Sequence, residues 1–410
     1  MSGLSIAAHF SFARVKVISQ SVHRECQVPG AIIQLAPDRR FRPLCHLCGG
    51  PASVHSQGLR RIVRDLDVAG AQVYLDVQYR RVNCPACNRA VVEKLSFAGA
   101  SMRLTYRLAR YVYELCKVMT VQDVAAHLEL DPKSVKAIDK HLLEEEFADT
   151  DCEGLKVLAV DEISLCRGQR GYMSVVLDYQ SGRVVWMGQG RKAESLDAFF
   201  ATMSQQQKGA IEAVAMDMWE AYVRSVRQNC PQAKIVFDLF HVVKAYGEVI
   251  DEVRRQEYRK ASFQQRAYIK GSRYLLLSNR ENLDAQKRAR LEELLEVNER
   301  LSAVYILKDQ LKAIYRYSRR RWAQRALEQW CALAAQVEHP AMRRFIGRLQ
   351  YFREGILNHC EYPIGTSKLE GVNNRIKVIK RKAYGFHDSR YFTLKVKQAF
   401  PGVKPTTETG

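Results

Sequence analysis

Apolar positions along the chain follow two periods, and the changes of period divide it. Residues 1 to about 40 suggest a strand or two. Further on, Ile62, Val63, Val68, Val73, Leu75 and Val77 lie among Arg and Tyr in a β-rich stretch. From 102 to 146 the period becomes helical. Leu104, Leu108, Val112 and Leu115 space one helix; Thr120 can cap a second with Val124, Ala125 and Leu128 inward; Asp131-Pro132 opens a third with Val135, Ile138 and Leu142. Two short helices joined by a three-residue turn have helix-turn-helix spacing, with Glu129 in the turn where Gly is usual. An ordinary three-helix packing unit is the plainer alternative.

At Leu155 strands return. LKVLAVDEISL reads as a buried strand ending in Asp161, and YMSVVLDY and RVVWMG as a hairpin turning at Gln180-Ser181-Gly182. A helix through Leu196, Phe199 and Phe200 follows, then a strand ending in Asp217, a helix from Trp219 to Arg227, and a strand ending in Asp238. Three meandering strands, then helix, strand, helix, strand, is the ribonuclease-H-like order. It makes the first and fourth strands neighbours, so Asp161 and Asp217 are expected side by side. Residues 247 to about 360 are helical throughout and read as an insertion into that sheet domain. A last helix opens at Ser367, with Leu369, Val372, Ile376 and Ile379 as its apolar stripe and Glu370, Asn374, Lys377 and Arg381 on another face. The expectation is a multidomain α/β chain: an N-terminal segment (1–40), a zinc ribbon (41–100), a helix-turn-helix domain (101–150), a ribonuclease-H-like core in two parts (151–246 and 363–400) and an all-helical insertion (247–362).

Composition sharpens this in three ways. With 410 residues, 47% of them hydrophobic, the chain can build sizeable cores, so disorder is not the default. A net charge of +20, spread along the chain, points to a polyanionic partner, nucleic acid first, although a solvated basic surface has the same composition. The N-terminus lacks a signal-peptide core and no segment has the length of a membrane span, so a soluble, cytoplasmic protein is expected. The eleven cysteines are an odd number and most stand singly, which favours reduced thiols. Four of them are different. Cys45 and Cys48, and Cys84 and Cys87, form two CxxC pairs separated by 35 residues, each able to present two thiolates from a turn. Two such pairs suit one structural zinc ion with a closed shell of four thiolates; a redox CxxC is the rival.

The carboxylates raise a second metal question. Asp161, Asp217 and Glu370 come from separate elements and can converge on two Mg²⁺ ions of the kind that activate a hydroxyl for phosphodiester attack. Asp238 ends a strand as well, and Ser367 with Glu370 fits an S-x-x-E capping box, so each position has a plainer reading. Lys377, Lys380 and Arg381, with Asn374, sit where they can hold phosphates. Lys133, Ser134, Lys136 and Lys140 lie on or near the outward side of the recognition helix. In the insertion, Arg316, Arg319, Arg320, Arg321 and Arg325 are the densest basic cluster. Trp322 beside them is read first as a core tryptophan, and second as a platform for a displaced base.

The motifs together resemble a family. Paired CxxC, a helix-turn-helix, VDE at Asp161, DMW at Asp217, DLFHVVKAY after it and SKLEGVNNRIKVIKRKAYGF around Glu370 look like a bacterial insertion-sequence DDE transposase of the ISL-three group, from Cys45 to Phe386. The resemblance implies a ribonuclease-H-like catalytic core, the triad Asp161, Asp217 and Glu370, Mg²⁺ dependence, and recognition of terminal inverted repeats on double-stranded DNA. It favours Asp217 over Asp238, and makes Glu162, Asp238 and His241 accessory residues. Strand cleavage and transfer require two ends held together, hence a homodimer or larger assembly on DNA. A non-catalytic DNA-binding regulator and a structure-selective nuclease are the alternative functions.

Overall fold

The computed structural model describes residues 12–23, 30–68, 70–164, 171–364, 367–383 and 388–402. Two compact units divide the chain, Met1–Glu146 and Phe147–Gly410. Among the described residues no helix is long and apolar enough to cross a membrane.

In the first unit, strands β1 (Val15–His23), β2 (Gly30–Pro37), β3 (Ser53–Val68), β4 (Ala71–Cys84) and β5 (Arg89–Val92) form one sheet in the order β1-β2-β4-β3, with β5 also on β4. The N-terminal strands are therefore part of the ribbon's own sheet, because β2 pairs in parallel with β4 and sets Ile33 opposite Leu75. Alternate residues Ala31, Ile33 and Leu35 on β2, and Val73, Leu75 and Val77 on β4, form its buried face, as period-2 alternation requires. Helices α1 (Tyr106–Val118), α2 (Val121–Leu128) and α3 (Pro132–Phe147) follow. Thr105 caps α1, and Thr120 with Asp123 completes a capping box on α2. Leu108, Val112, Val124, Ala125, Leu128 and Val135 close their small core. Glu129 adopts the left-handed conformation (φ 51°, ψ 46°) that glycine usually supplies in this turn. Its side chain accepts a hydrogen bond of 2.8 Å from Gln72 Nε2, which helps fix the turn.

The second unit is built on the sheet β10-β9-β6-β7-β8, formed by β6 (Val157–Ser164), β7 (Tyr172–Asp178), β8 (Val184–Gln189), β9 (Ala213–Met216) and β10 (Lys234–Phe237). The first three strands are antiparallel; β9 and β10 run parallel to β6. Helices α4 (Ala193–Phe200), α5 (Gln205–Gly209) and α6 (Glu220–Asn229) lie between these strands in the chain, and α7 (Leu239–Lys260) leaves β10 directly. The helical region continues as α8 (Phe263–Ile269), α9 (Arg273–Leu277), α10 (Ala285–Val297), α11 (Glu299–Ile314), α12 (Arg320–Ala335), α13 (Pro340–Tyr351) and α14 (Arg353–Leu357). It shares one continuous core with the sheet: Leu158, Val160, Val214 and Met216 lie in the same cluster as Tyr246, Leu311, Trp330 and Phe345. At its return, Gly355 packs so close to Phe237 of β10 that an added Cβ would sit 2.3 Å from the ring. α15 (Ser367–Lys382) and α16 (Ser389–Ala399) cover the opposite face, with Val372, Ile376, Phe392 and Val396 against Ala159, Ile163, Val175 and Ala215.

Trp322 is not a core residue. It is 52% exposed, because the buried stripe of α12 runs through Ala323, Leu327, Trp330 and Ala334 and leaves position 322 off that face. Trp330 fills the interior instead.

Candidate active site and metal centre

The four CxxC thiols converge in the first unit. Their sulfurs all lie within 4.8 Å of one another, with Cys45 Sγ 3.9 Å from Cys87 Sγ and Cys48 Sγ 3.5 Å from Cys84 Sγ. A tetrahedral zinc with bonds near 2.3 Å separates its sulfurs by roughly 3.8 Å, so the spacing fits. Backbone N–H groups point at the sulfurs: Leu47 to Cys45, Gly50 to Cys48 and Cys87 to Cys84, each at 3.4 Å. Backbone hydrogen bonds, that of Cys48 first, lower the Cys45 thiol to about 6, while hydrogen bonding with Cys48 and Cys84 pushes Cys87 up to about 12. The four cysteines suit a structural metal such as zinc.

The second site is organised by sheet register. Ala159 of β6 pairs with Ala215 of β9, and there their pairing stops. Two residues on come Asp161, within β6 and bonded to Asn373 of α15, and Asp217, just past the end of β9. β6 does not end at Asp161 as its sequence suggests. It runs on to Ser164 because β7 continues to pair with it, while β9 stops at Met216.

Two helices close on the two aspartates. Asp238 caps α7 by accepting from Phe240 N at 3.0 Å, which sets His241 in the first turn of that helix. The His241 imidazole then lies between the carboxylates, Nδ1 3.5 Å from Asp217 and Nε2 4.0 Å from Asp161. From α15, Asn373 donates through Nδ2 to Asp161 Oδ2, and its Oδ1 is buried without a hydrogen-bond partner. Asn373 was hidden in the sequence beside Asn374. Only the i, i+3 relation to Glu370 could have drawn attention to it. Glu370 itself is exposed, one turn before Asn373. Glu162 points to the other side of β6: its cross-strand neighbour Ser174 bonds Tyr222 of α6 at 2.6 Å. Burial holds the Glu162 carboxyl above its usual range, with Arg191 the strongest opposing influence.

Besides the His241 imidazole, the donors here are hard oxygens, with the Asn373 amide oxygen buried and lacking a partner, and such oxygens suit a hard divalent cation. Among the described residues, only the cysteines bring three or more such ligand atoms within 4.8 Å of one another. The aspartates are drawn together through His241, and Glu370 is tied to them through Asn373 and the body of its helix.

Similarity to known proteins shows the family. A family profile described as "Transposase" matches residues 158–396, and one described as "Helix-turn-helix domain of transposase family ISL3" matches 93–143. The chain belongs to the ISL3 family of insertion-sequence transposases. It is 43% identical over 363 residues to the transposase for insertion sequence element IS1001 of Bordetella parapertussis, covering 88% of this chain and 89% of the relative. It is 27% identical over 404 residues to the transposase for insertion sequence element IS1557 of Mycobacterium tuberculosis, covering 92% and 89%. The transposase profile runs through the sheet, the helical region and α15 without a break, and so includes every carboxylate discussed. The helix-turn-helix domain of this ISL3 transposase implies DNA binding.

The basic residues expected to meet DNA fall in different settings. On α15, Asn374, Lys377 and Arg381 are exposed along one face with Glu370, and Lys380 is half-buried beside them. On α3, Lys133 and Ser134 are exposed and Lys136 is half-buried; Ser134 donates to Asp131 from both its backbone N and Oγ, at 2.9 and 3.1 Å. In the helical region Arg319 and Arg321 are exposed. Arg320 is engaged inside the molecule, donating to Asn358 at 2.9 Å and to the Glu354 carboxylate.

Proposed function

We propose that this transposase cuts and joins DNA at the ends of its element by a two-metal DDE reaction on a ribonuclease-H-like core. The observation that carries the reading is that Asp161 of β6 and Asp217, just after the adjacent parallel strand β9, flank one imidazole, His241, with the Glu370 helix bonded to Asp161 through Asn373. Asp161, Asp217 and Glu370 would hold Mg²⁺, which when bound activates a water or 3′-hydroxyl and stabilises the leaving oxygen. The strand order β10-β9-β6-β7-β8 supports the ribonuclease-H-like assignment.

The protein's own residues supply orientation. Asn373 holds the Asp161 carboxylate toward α15, and His241 separates two carboxylates that would otherwise repel. Lys377, Lys380 and Arg381 extend from Glu370 along α15 and hold the phosphates of the strand being cut. Lys133, Ser134 and Lys136 of α3 read or grip the terminal inverted repeat, Arg319 and Arg321 contact flanking DNA, and the zinc-bound ribbon supports the helix-turn-helix. Two ends react together, so the active form is a dimer or larger on DNA.

Replacing Glu370 with Gln removes one carboxylate charge and leaves the first unit untouched. Single-turnover cleavage of a duplex carrying the element end, in Mg²⁺, is expected to fall about a thousandfold or more, while gel-shift affinity for the same duplex stays within about twofold. Wild-type cleavage by that variant would remove Glu370 from the mechanism.

A further inference from the structure

Beside the aspartates is a cation that the triad does not use. Arg191 follows β8 at the opening of α4, and its guanidinium lies over the Tyr172 ring at 4.6 Å and the Trp219 ring at 5.5 Å. Among the described residues it forms no ion pair with a carboxylate, although Glu162 feels its charge and Trp219, two residues beyond Asp217, touches it. The backbone that carries it is pinned on every side. Gly190 N donates to Tyr172 O at 2.8 Å, and Gly190 O accepts from Ser174 Oγ at 2.9 Å. The carbonyl of Arg191 accepts from the Trp219 indole at 3.0 Å. Gly190 holds φ at +90°, and a Cβ there would approach Ser195 Oγ to 2.8 Å, so the bend that aims Arg191 depends on glycine.

The Asp217 loop is fixed to the same arrangement. Trp219 is two residues beyond Asp217 and reaches across to Arg191, while Arg348 of α13 donates to Met218 O at 2.7 Å. A solvated surface arginine has none of this support. A guanidinium held against two aromatic rings gives up part of its side-chain freedom in advance, and it carries the fork of donors that matches a phosphate.

We propose that Arg191 binds the scissile phosphodiester, holding its non-bridging oxygens next to Asp217. The inference rests on the two-metal reading and adds to it a preorganised cation beside the segment that carries Asp217. Its rival is that Arg191 only offsets the charge of Glu162.

The test uses the full-length protein, Mg²⁺ and a duplex carrying the terminal repeat and flank read from the DNA around the coding region. Gel-shift affinity and single-turnover cleavage are measured for wild type, Arg191→Gln and Arg191→Lys, each on the natural phosphate and on a methylphosphonate at the scissile position. Expected results are end binding within about twofold, cleavage of the natural phosphate about a hundredfold slower for Arg191→Gln, and an intermediate loss for Arg191→Lys. On the neutral methylphosphonate the ratio of wild type to Arg191→Gln should collapse toward one. Equal cleavage by wild type and Arg191→Gln overturns the inference. So does a ratio that persists on the methylphosphonate, or recovery of Arg191→Gln by a second change Glu162→Gln, since each places the arginine's action on the protein. Because the wild-type to Arg191→Gln ratio on one substrate is compared with the same ratio on the other, partial misfolding of Arg191→Gln, which lowers both rates alike, cancels from the comparison. Wild type that fails to cut the natural duplex overturns the two-metal reading and this inference with it, a result distinct from an indifferent Arg191.

Discussion

The two candidate metal sites are made in opposite ways. The cysteine site is soft, four-sided and almost self-contained: its ligands come from two turns next to one strand pair, and backbone N–H groups of the same turns support the sulfurs. The carboxylate site is hard and open. Its members come from two strand ends, the first turn of α7 and a helix that returns after more than a hundred intervening residues, and Glu370 remains exposed. A closed shell of four thiolates leaves no position for a reactant and suits folding; an open set of oxygens leaves room for a phosphodiester. One site should therefore fail as structure and the other as chemistry.

The largest effect that can break this comparison comes from the cysteines. Structural zinc sites in small domains contribute on the order of 10 kcal/mol to folding. Cys84→Ser, or prolonged chelation, should release the metal, abolish the cooperative melting of the first unit and remove end binding, as checked by elemental analysis, calorimetry and gel shift. A Cys84→Ser protein that melts and binds like wild type would make the cluster dispensable and the contrast false. Asn373→Ala should act the other way, lowering cleavage by about tenfold or more through misplacement of Asp161 and α15, with end binding and zinc content unchanged. If its only change is a lower melting temperature, the contact holds the fold and does not tune the site. The smallest effect sharpens the picture of the first unit. Glu129→Gly relieves a left-handed backbone worth roughly 1 kcal/mol but loses the Gln72 bond and leaves the unfolded chain freer. Its denaturation midpoint should correspond to a stability within about 1 kcal/mol of wild type; a larger loss would show that the Gln72 contact holds the helix-turn-helix turn.

Much of this architecture is legible from local pattern. The CxxC pairs, the three helices before 147 and the strand sequence from β6 to β10 follow from turn residues and periodicity, which depend on neighbours in the chain. Other features are not. Trp322 and Trp330 lie in one helix with similar apolar surroundings, and only the packing of α12 against α11 and α13 buries one and exposes the other. Asn373 and Asn374 are adjacent amides; a rotation of about 100° per residue turns one to Asp161 and the other to solvent. Arg320 belongs to a basic run and yet is bonded to Glu354 and Asn358, residues far away in the chain.

The sequence by itself determined the ligand types, the elements that carry them and the strand order that makes β6 and β9 neighbours, because residue chemistry and period are local properties. The tertiary structure decided the rest. The approach of Asp161 and Asp217 to one imidazole needs the pairing of β6 with β9, the placement of His241 needs the Asp238 cap, and the support of Arg191 needs two rings from different elements. Such relations arise from contacts between segments distant in the chain, where burial and shape choose among arrangements that local pattern leaves equal.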